Sequence, residues 1–150
     1  MSHPLAGVIN AGGKGTRLHP ITLEIPKPLL TVGRKPIIQY LLELFRTHGI
    51  HPVYVTISQD DLLLFERWKK DYGNDEVIFI IEGERLGTWG GIRRFLSERS
   101  HANTFVVTNG DELKEMDISE LVAFHKKSGA LVTLGTVQVE NPSDYGVIEA

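Results

Sequence analysis

The sequence predicts an α/β domain built on a mainly parallel sheet. Short apolar runs alternate with segments of helical period along the whole chain, the pattern of strands joined by crossover helices. Three of the four helical segments carry punctuation at their ends, opening on Pro or Asp and closing on Gly. Residues with chemical character cluster just after the apolar runs, where open parallel sheets bind ligands.

In chain order, the first strand is expected at Leu5 to Asn10, followed at once by the glycine-rich loop NAGGKGTRLHP. Ile21 to Pro36 contains three prolines and few helical signals, and is expected to be a long extended connection of the kind that carries function. Ile37, Tyr40, Leu41, Leu44 and Phe45 then share one helical face, opened by Pro36 as a first-turn residue and closed by Gly49. A second strand is expected at Pro52 to Ser58. Asp60 is the candidate cap of a helix over Asp61 to Tyr72, stopped by Gly73. A third strand over Glu76 to Ile81, a helix over Gly90 to Arg99 and a strand over Thr104 to Thr108 follow. Asp117 caps and Gly129 stops a fourth helix, Ile118 to Lys127, and a fifth strand is expected at Ala130 to Val139. Together these predict a Rossmann-like three-layer domain with no internal repeat, low-complexity tract or linker.

Composition narrows the function. The chain has 150 residues, 41% hydrophobic and 23% charged, and no apolar run near the roughly 18 residues of a membrane span. The N-terminal MSHPLAGVIN lacks the basic start and long apolar stretch of a signal peptide, and there is no cysteine for a disulfide framework, so cytoplasm is the default expectation. A net charge of −3 offers no general attraction for nucleic acid. Residues 1–36, however, carry Lys14, Arg17, Lys27, Arg34 and Lys35 against Glu24 alone, a balance of +4 that leaves −7 for the remainder. Positive charge is therefore concentrated around the glycine loop, as a small anionic ligand requires.

That loop reads as a phosphate cradle. Glycines bring backbone N–H groups close to a ligand and tolerate positive φ, while Lys14 and Arg17 add cationic donors, Arg with a bidentate grip. A tight strand-to-helix turn would use the glycines but leave both cations without a role. The loop is not a Walker A motif, because Lys14 precedes Gly15 and Arg17 follows Thr16. Nor is it a dinucleotide fingerprint, since Gly13 and Gly15 are followed by Leu18 where a third glycine belongs, and that objection also answers an NAD-binding reading with Asp60 as the ribose acid. Lys27 stands between Pro26 and Pro28, which restrict the backbone on both sides and so determine its direction. Asp111 follows Gly110 at the end of TFVVT, where it can reach a crevice as a metal ligand or, alternatively, cap a helix. Glu82 is an acceptor-only carboxylate when ionised, a match for the adjacent N1–H and N2–H₂ donors of guanine; uracil and thymine present one donor between two acceptors. It can equally be a surface glutamate.

NAGGKGTRLHP, IPKPLLTVGRKPI, LGTWGG, TNGDEL and DYGVIE, in that order and spacing, resemble the sugar-phosphate nucleotidyltransferases, and the likeness covers essentially the whole chain. The resemblance implies an enzyme that joins a nucleoside triphosphate to a sugar 1-phosphate, giving a nucleotide sugar and pyrophosphate. It implies that Ala11, Gly12, Gly13, Gly15 and Thr16 hold the nucleotide, with Arg17 on the leaving pyrophosphate and Lys27 on the nucleotide phosphates. It further implies Mg²⁺ on Asp111 beside Gly110, base contacts at Gly87 and Thr88, and a sugar-side contact at Gly146, with Tyr145 mainly structural. Trp89 departs from the small residue usual after that turn. Relatives with Glu at the position of Glu82 are often guanylyltransferases, so the expectation leans to GTP with mannose or heptose 1-phosphate; thymidylyl or uridylyl transfer to glucose 1-phosphate is the alternative. Glu112 is expected to point away from the metal, Arg34 and Lys35 to be surface charge, and no histidine to bind metal.

The family extends beyond its YGVIE motif, where a second lysine and a second metal-binding aspartate are expected, so a domain truncated at its C-terminus is anticipated. A nucleotide-binding module without transferase activity is the competing expectation. A glycosyltransferase fits poorly, because Asp111-Glu112-Leu113 lacks a DxD pair. A homo-oligomer stays open.

Overall fold

The computed structural model describes residues 5–83, 90–98, 104–141, 143, 146 and 148. The chain forms two compact units, Met1–Met116 and Asp117–Ala150.

The first unit is built on a four-stranded, wholly parallel sheet. Its strands are β1 (Leu5–Asn10), β4 (Val53–Ser58), β5 (Val77–Glu82) and β6 (Thr104–Asn109), in the spatial order β5-β4-β1-β6. Each lies within a residue or so of its predicted bounds, because the strands of a parallel sheet are short apolar runs ended by turn residues, even at the half-exposed edge strand β6. Alternate residues separate the two faces. Ala6, Val8, Tyr54 and Ile80 point to one side and pack with Ile92 and Phe95 of α3 (Gly90–Glu98). On the other side lie α1 (Ile37–Thr47) and α2 (Leu62–Asp71): a Cβ on Gly7 would meet the Phe45 ring at 2.5 Å, and Phe79 stacks edge-on against Phe65 at 6.2 Å between centroids. The predicted three layers are therefore present.

Chain order explains where a crevice opens. From central β1 the chain runs outward through β4 to β5, then returns to the other side of β1 as β6. The strand order thus reverses at β1, and the carboxyl ends of β1 and β6 stand side by side, where open parallel sheets bind ligands.

Two local expectations change. Ile21 to Pro36 is not simply extended: 3-10 turns form at Ile21–Leu23 and Lys27–Leu29, and Thr31–Val32 (β2) pairs antiparallel with Lys35–Pro36 (β3). The prolines initiate these turns as acceptors, with Leu23 N–H donating to Pro20 O at 3.0 Å and Leu29 N–H to Pro26 O at 2.8 Å. Asp60 does not cap α2. Ser58 Oγ accepts the Asp60 N–H at 3.3 Å, and a 3-10 turn, Gln59–Asp61, leads into the helix.

In the second unit α4 spans Ile118–Ser128, with Asp117 Oδ1 accepting the N–H groups of Ser119 at 2.8 Å and Glu120 at 3.3 Å, and Gly129 in the left-handed region at φ +64°. Asp117→Ala is expected to cost about 1 kcal/mol through loss of this cap, read as faster amide exchange in the first turn of α4. The strand expected at Ala130 to Val139 is absent: 132–139 carry no ladder. Leu131 is 99% exposed and Val137 85%. A strand needs a partner for its N–H and C=O groups, and no described residue supplies one.

Candidate functional site

β1 and β6 deliver the site from one edge of the sheet. After Asn10 the chain turns into Ala11 to Leu18, and after Asn109 it turns into Gly110 and Asp111. The two turns are fastened together: Gly110 N–H donates to Asn10 O at 2.8 Å, and Ala11 N–H donates to Thr56 O of β4 at 2.9 Å. A Cβ on Gly110 would stand 3.1 Å from Asn10 O and 3.2 Å from Ala11 Cβ. Only a residue without a side chain lets these strand ends approach so closely.

The loop itself has one fixed point and one open stretch. Gly15 adopts φ +59° ahead of the 3-10 turn Thr16–Leu18, and its carbonyl accepts the Thr22 hydroxyl at 2.8 Å. A side chain there would be strained in backbone and would press on Thr22 and Lys27. Around Gly13, by contrast, a Cβ would meet nothing within 4 Å. The loop is thus tied down at Gly15 and leaves space above Gly13 for a ligand.

That space is a cavity of about 700 Å³ lined by Ala11 to Leu18, Lys27, Pro28, Glu82, Asn109, Asp111 and Asn10. Its walls bring together most of the residues singled out in the sequence: Ala11, Gly12, Gly13, Gly15, Thr16, Arg17, Lys27, Glu82 and Asp111. Lys14, Arg17 and Lys27 give one end of the cavity positive charge. Lys27 Nζ donates to Asp111 Oδ2 at 2.8 Å, across 84 residues of sequence. Both side chains are about one-third exposed, at 32% and 37%. Glu82 lies at the other end of the carboxyl edge, three strand spacings or about 14 Å from β6. It is 7% exposed, which excludes the surface-glutamate reading.

Other expectations resolve individually. Gly110 is buried beneath the loop and is not part of the cavity wall. Gly87 and Thr88, with Trp89, lie outside the described residues, as does Tyr145; Gly146 is exposed in the second unit. Glu112 turns aside, accepting from Asn109 Nδ2 at 2.9 Å and Lys114 Nζ at 2.5 Å. Partial burial pushes its carboxyl upward, but these two donors outweigh it and hold the group below the usual carboxylate range. Lys35 pairs with Glu43 and stands 4.3 Å from the Tyr40 ring centroid, away from the cavity lining. Sequence reasoning missed Asn10, Asn109 and Thr22. Asn10 and Asn109 end neighbouring parallel strands, a signal that was available; Thr22 acts through a contact between two turns and leaves no pattern.

Among the described residues there is no cluster of three or more side chains able to hold a metal ion. Asp111 and Glu82 are the carboxylates of the cavity wall. A Mg²⁺ ion usually takes one or two carboxylates and fills its remaining positions with substrate phosphates and water. Asp111, beside Lys27 at the cationic end of the cavity, fits that pattern. No described helix is long and apolar enough to cross a membrane.

Comparison with known proteins gives a consistent result. Residues 6–150 match the nucleotidyl transferase family. The chain is 36% identical over 149 residues to the mannose-1-phosphate guanyltransferase of Schizosaccharomyces pombe, covering 96% of this chain and 40% of that protein. It is 34% identical over 158 residues to the UTP–glucose-1-phosphate uridylyltransferase of Synechocystis, with the same 96% and 40% coverage. The crystal structure of HddC from Yersinia pseudotuberculosis complexed with GMP-PN superposes with a TM-score of 0.69 at 34% identity, over 80% of this chain and 53% of that one. The chain thus spans about 40% of the length of these curated relatives.

Proposed function

The chain belongs to the nucleotidyl transferase family, and we propose that it holds the nucleoside triphosphate of a sugar-1-phosphate nucleotidyltransferase. The carrying observation is the Lys27–Asp111 pair at 2.8 Å on the wall of a glycine-lined cavity, cation and metal-ligand candidate side by side. The base is proposed to be guanine and the acceptor mannose or heptose 1-phosphate. The buried Glu82 on the cavity wall, carried by the strand at the opposite edge of the sheet from β6, supports guanine, as do the names of several relatives.

The chemistry asked of the protein is alignment and charge balance. A sugar-phosphate oxygen attacks the α-phosphorus in line, a new P–O bond forms, and the bond to the β-phosphate oxygen breaks to release pyrophosphate. The attacking phosphate, with a second pKa near about 6, is already an anion at neutral pH, so no general base is required. Loop N–H groups from Gly12 to Thr16 orient the triphosphate, while Arg17 meets charge gathering on the leaving group. Lys27 holds the phosphates in register for attack. Asp111 would hold Mg²⁺, which when bound offsets phosphate charge.

A second reading is a nucleotide-binding module that lacks transfer activity, favoured by Asp111 being the one carboxylate at the cationic end of the cavity among the described residues. A panel of nucleoside triphosphates and sugar 1-phosphates separates the two. Pyrophosphate release is expected, fastest with GTP and mannose or heptose 1-phosphate. Nucleotide-dependent thermal stabilisation without pyrophosphate supports the module, and neither signal would discard both.

A further inference from the structure

The sheet face covered by α3 changes character toward its carboxyl end. Ala6, Val8, Tyr54 and Ile80 make its apolar part, and the next residues on the same side are Asn10, Thr56 and Glu82. Thr56 is fully buried and donates its hydroxyl to Asn10 Oδ1 at 2.9 Å. Above this polar cap sits the first turn of α3. A Cβ on Gly91 would come within 2.1 Å of Glu82 Oε1, 2.6 Å of Thr56 Cβ and 2.8 Å of Thr56 Oγ1. From the loop side, a Cβ on Gly12 would come within 3.1–3.2 Å of all three carboxyl atoms of Glu82. The carboxylate is therefore clasped between two glycine backbones, one in the phosphate loop and one in α3. Gly91 itself is buried and does not line the cavity.

We infer that Gly91, together with Gly12, is a specificity-positioning residue that fixes the plane of the Glu82 carboxylate for two parallel hydrogen bonds to a purine edge bearing adjacent donors. The inference rests on the reading of Glu82 as the base-recognising group. Two acceptors serve N1–H and N2–H₂ together only when the carboxylate plane is held in the plane of the base. A freely rotating carboxylate accepts one bond at a time and discriminates poorly; the slot removes that freedom before the ligand arrives.

The test is equilibrium binding of GTP, UTP and dTTP to the native chain and to Glu82→Ala, Gly91→Ala and Gly12→Ala, with tripolyphosphate as a base-free probe. The readout is the GTP-to-UTP affinity ratio, in which losses common to all nucleotides cancel. Glu82→Ala is expected to bring the ratio close to one. Gly91→Ala is expected to lower it at least tenfold with tripolyphosphate affinity within twofold of native, a pattern that general loosening of the fold does not produce. If Glu82→Ala keeps the native ratio, the base reading falls and the clasp with it. If Glu82→Ala collapses the ratio while Gly91→Ala preserves it, the clasp alone is overturned. Should Gly91→Ala fail to fold, Gly12→Ala decides: a threefold or greater fall in the ratio supports the clasp, and an unchanged ratio overturns it.

Discussion

Lys27→Ala is expected to weaken nucleoside triphosphate binding by ten- to a hundredfold, about 1.4–2.8 kcal/mol, and to lower any turnover found in the substrate panel by about a hundredfold or more. Stability should hardly change. The Lys27–Asp111 pair is about one-third exposed on each side, and ion pairs of that kind contribute about 0–1 kcal/mol, a shift of roughly 2–4 °C at most in a domain of this size. The contrast separates a phosphate ligand from a structural strut. Calorimetric titration with GTP beside a thermal melt of the same variant is the check. A variant that binds GTP as the native protein does, or that loses its fold, removes Lys27 from the phosphate site.

The opposite signature is expected for Gln39→Leu. Gln39 Oε1 accepts the Trp68 indole N–H at 3.2 Å and the Asn74 amide at 2.9 Å, all three side chains being buried. This joins α1, α2 and the turn before β5, and Arg46 adds a bond to Asn74 Oδ1 at 2.8 Å. Leucine replaces the acceptor with an apolar group of similar size and strands two buried donors, each costing about 1–3 kcal/mol. A loss of about 2–6 kcal/mol follows, lowering the melting temperature by roughly 4–24 °C. Tripolyphosphate and GTP affinities should stay near native once measured well below that midpoint, because the network lies outside the cavity wall. A melting temperature within 2 °C of native would show that water or a rearranged Asn74 replaces the lost acceptor.

Local sequence predicted the main elements because each depends on neighbours in the chain. Strands of a parallel sheet are short apolar runs between turn residues, so β1, β4, β5 and the half-exposed β6 stood out. Gly49, Gly73 and Gly129 all adopt positive φ at the predicted helix stops. The proline-rich connection was legible as a region without α-helix, but 3-10 turns need one i→i+3 acceptor apiece and little else, which prolines satisfy without leaving a helical period. Ala130 to Val139 shows the converse error. Its β-rich composition is real, yet strand formation belongs to a pair of segments and not to one.

The site divides in the same way. The glycine loop with Lys14 and Arg17, the proline-flanked Lys27 and the Gly110-Asp111 turn announce phosphate chemistry through residue type and adjacent backbone, and they need no distant partner to be recognised. Which of them meet was settled by strand order: β6 returning beside β1 sets Asp111 against Lys27 across 84 residues. Glu82 shows the difference most sharply. In the sequence it read equally as a base acceptor or as a surface glutamate, whereas the packing of α3 and the glycine loop buries it between Gly12 and Gly91. Chemistry of a residue is covalent and local, and so is readable along the chain; orientation and desolvation come from non-local packing, which exists once the sheet has assembled.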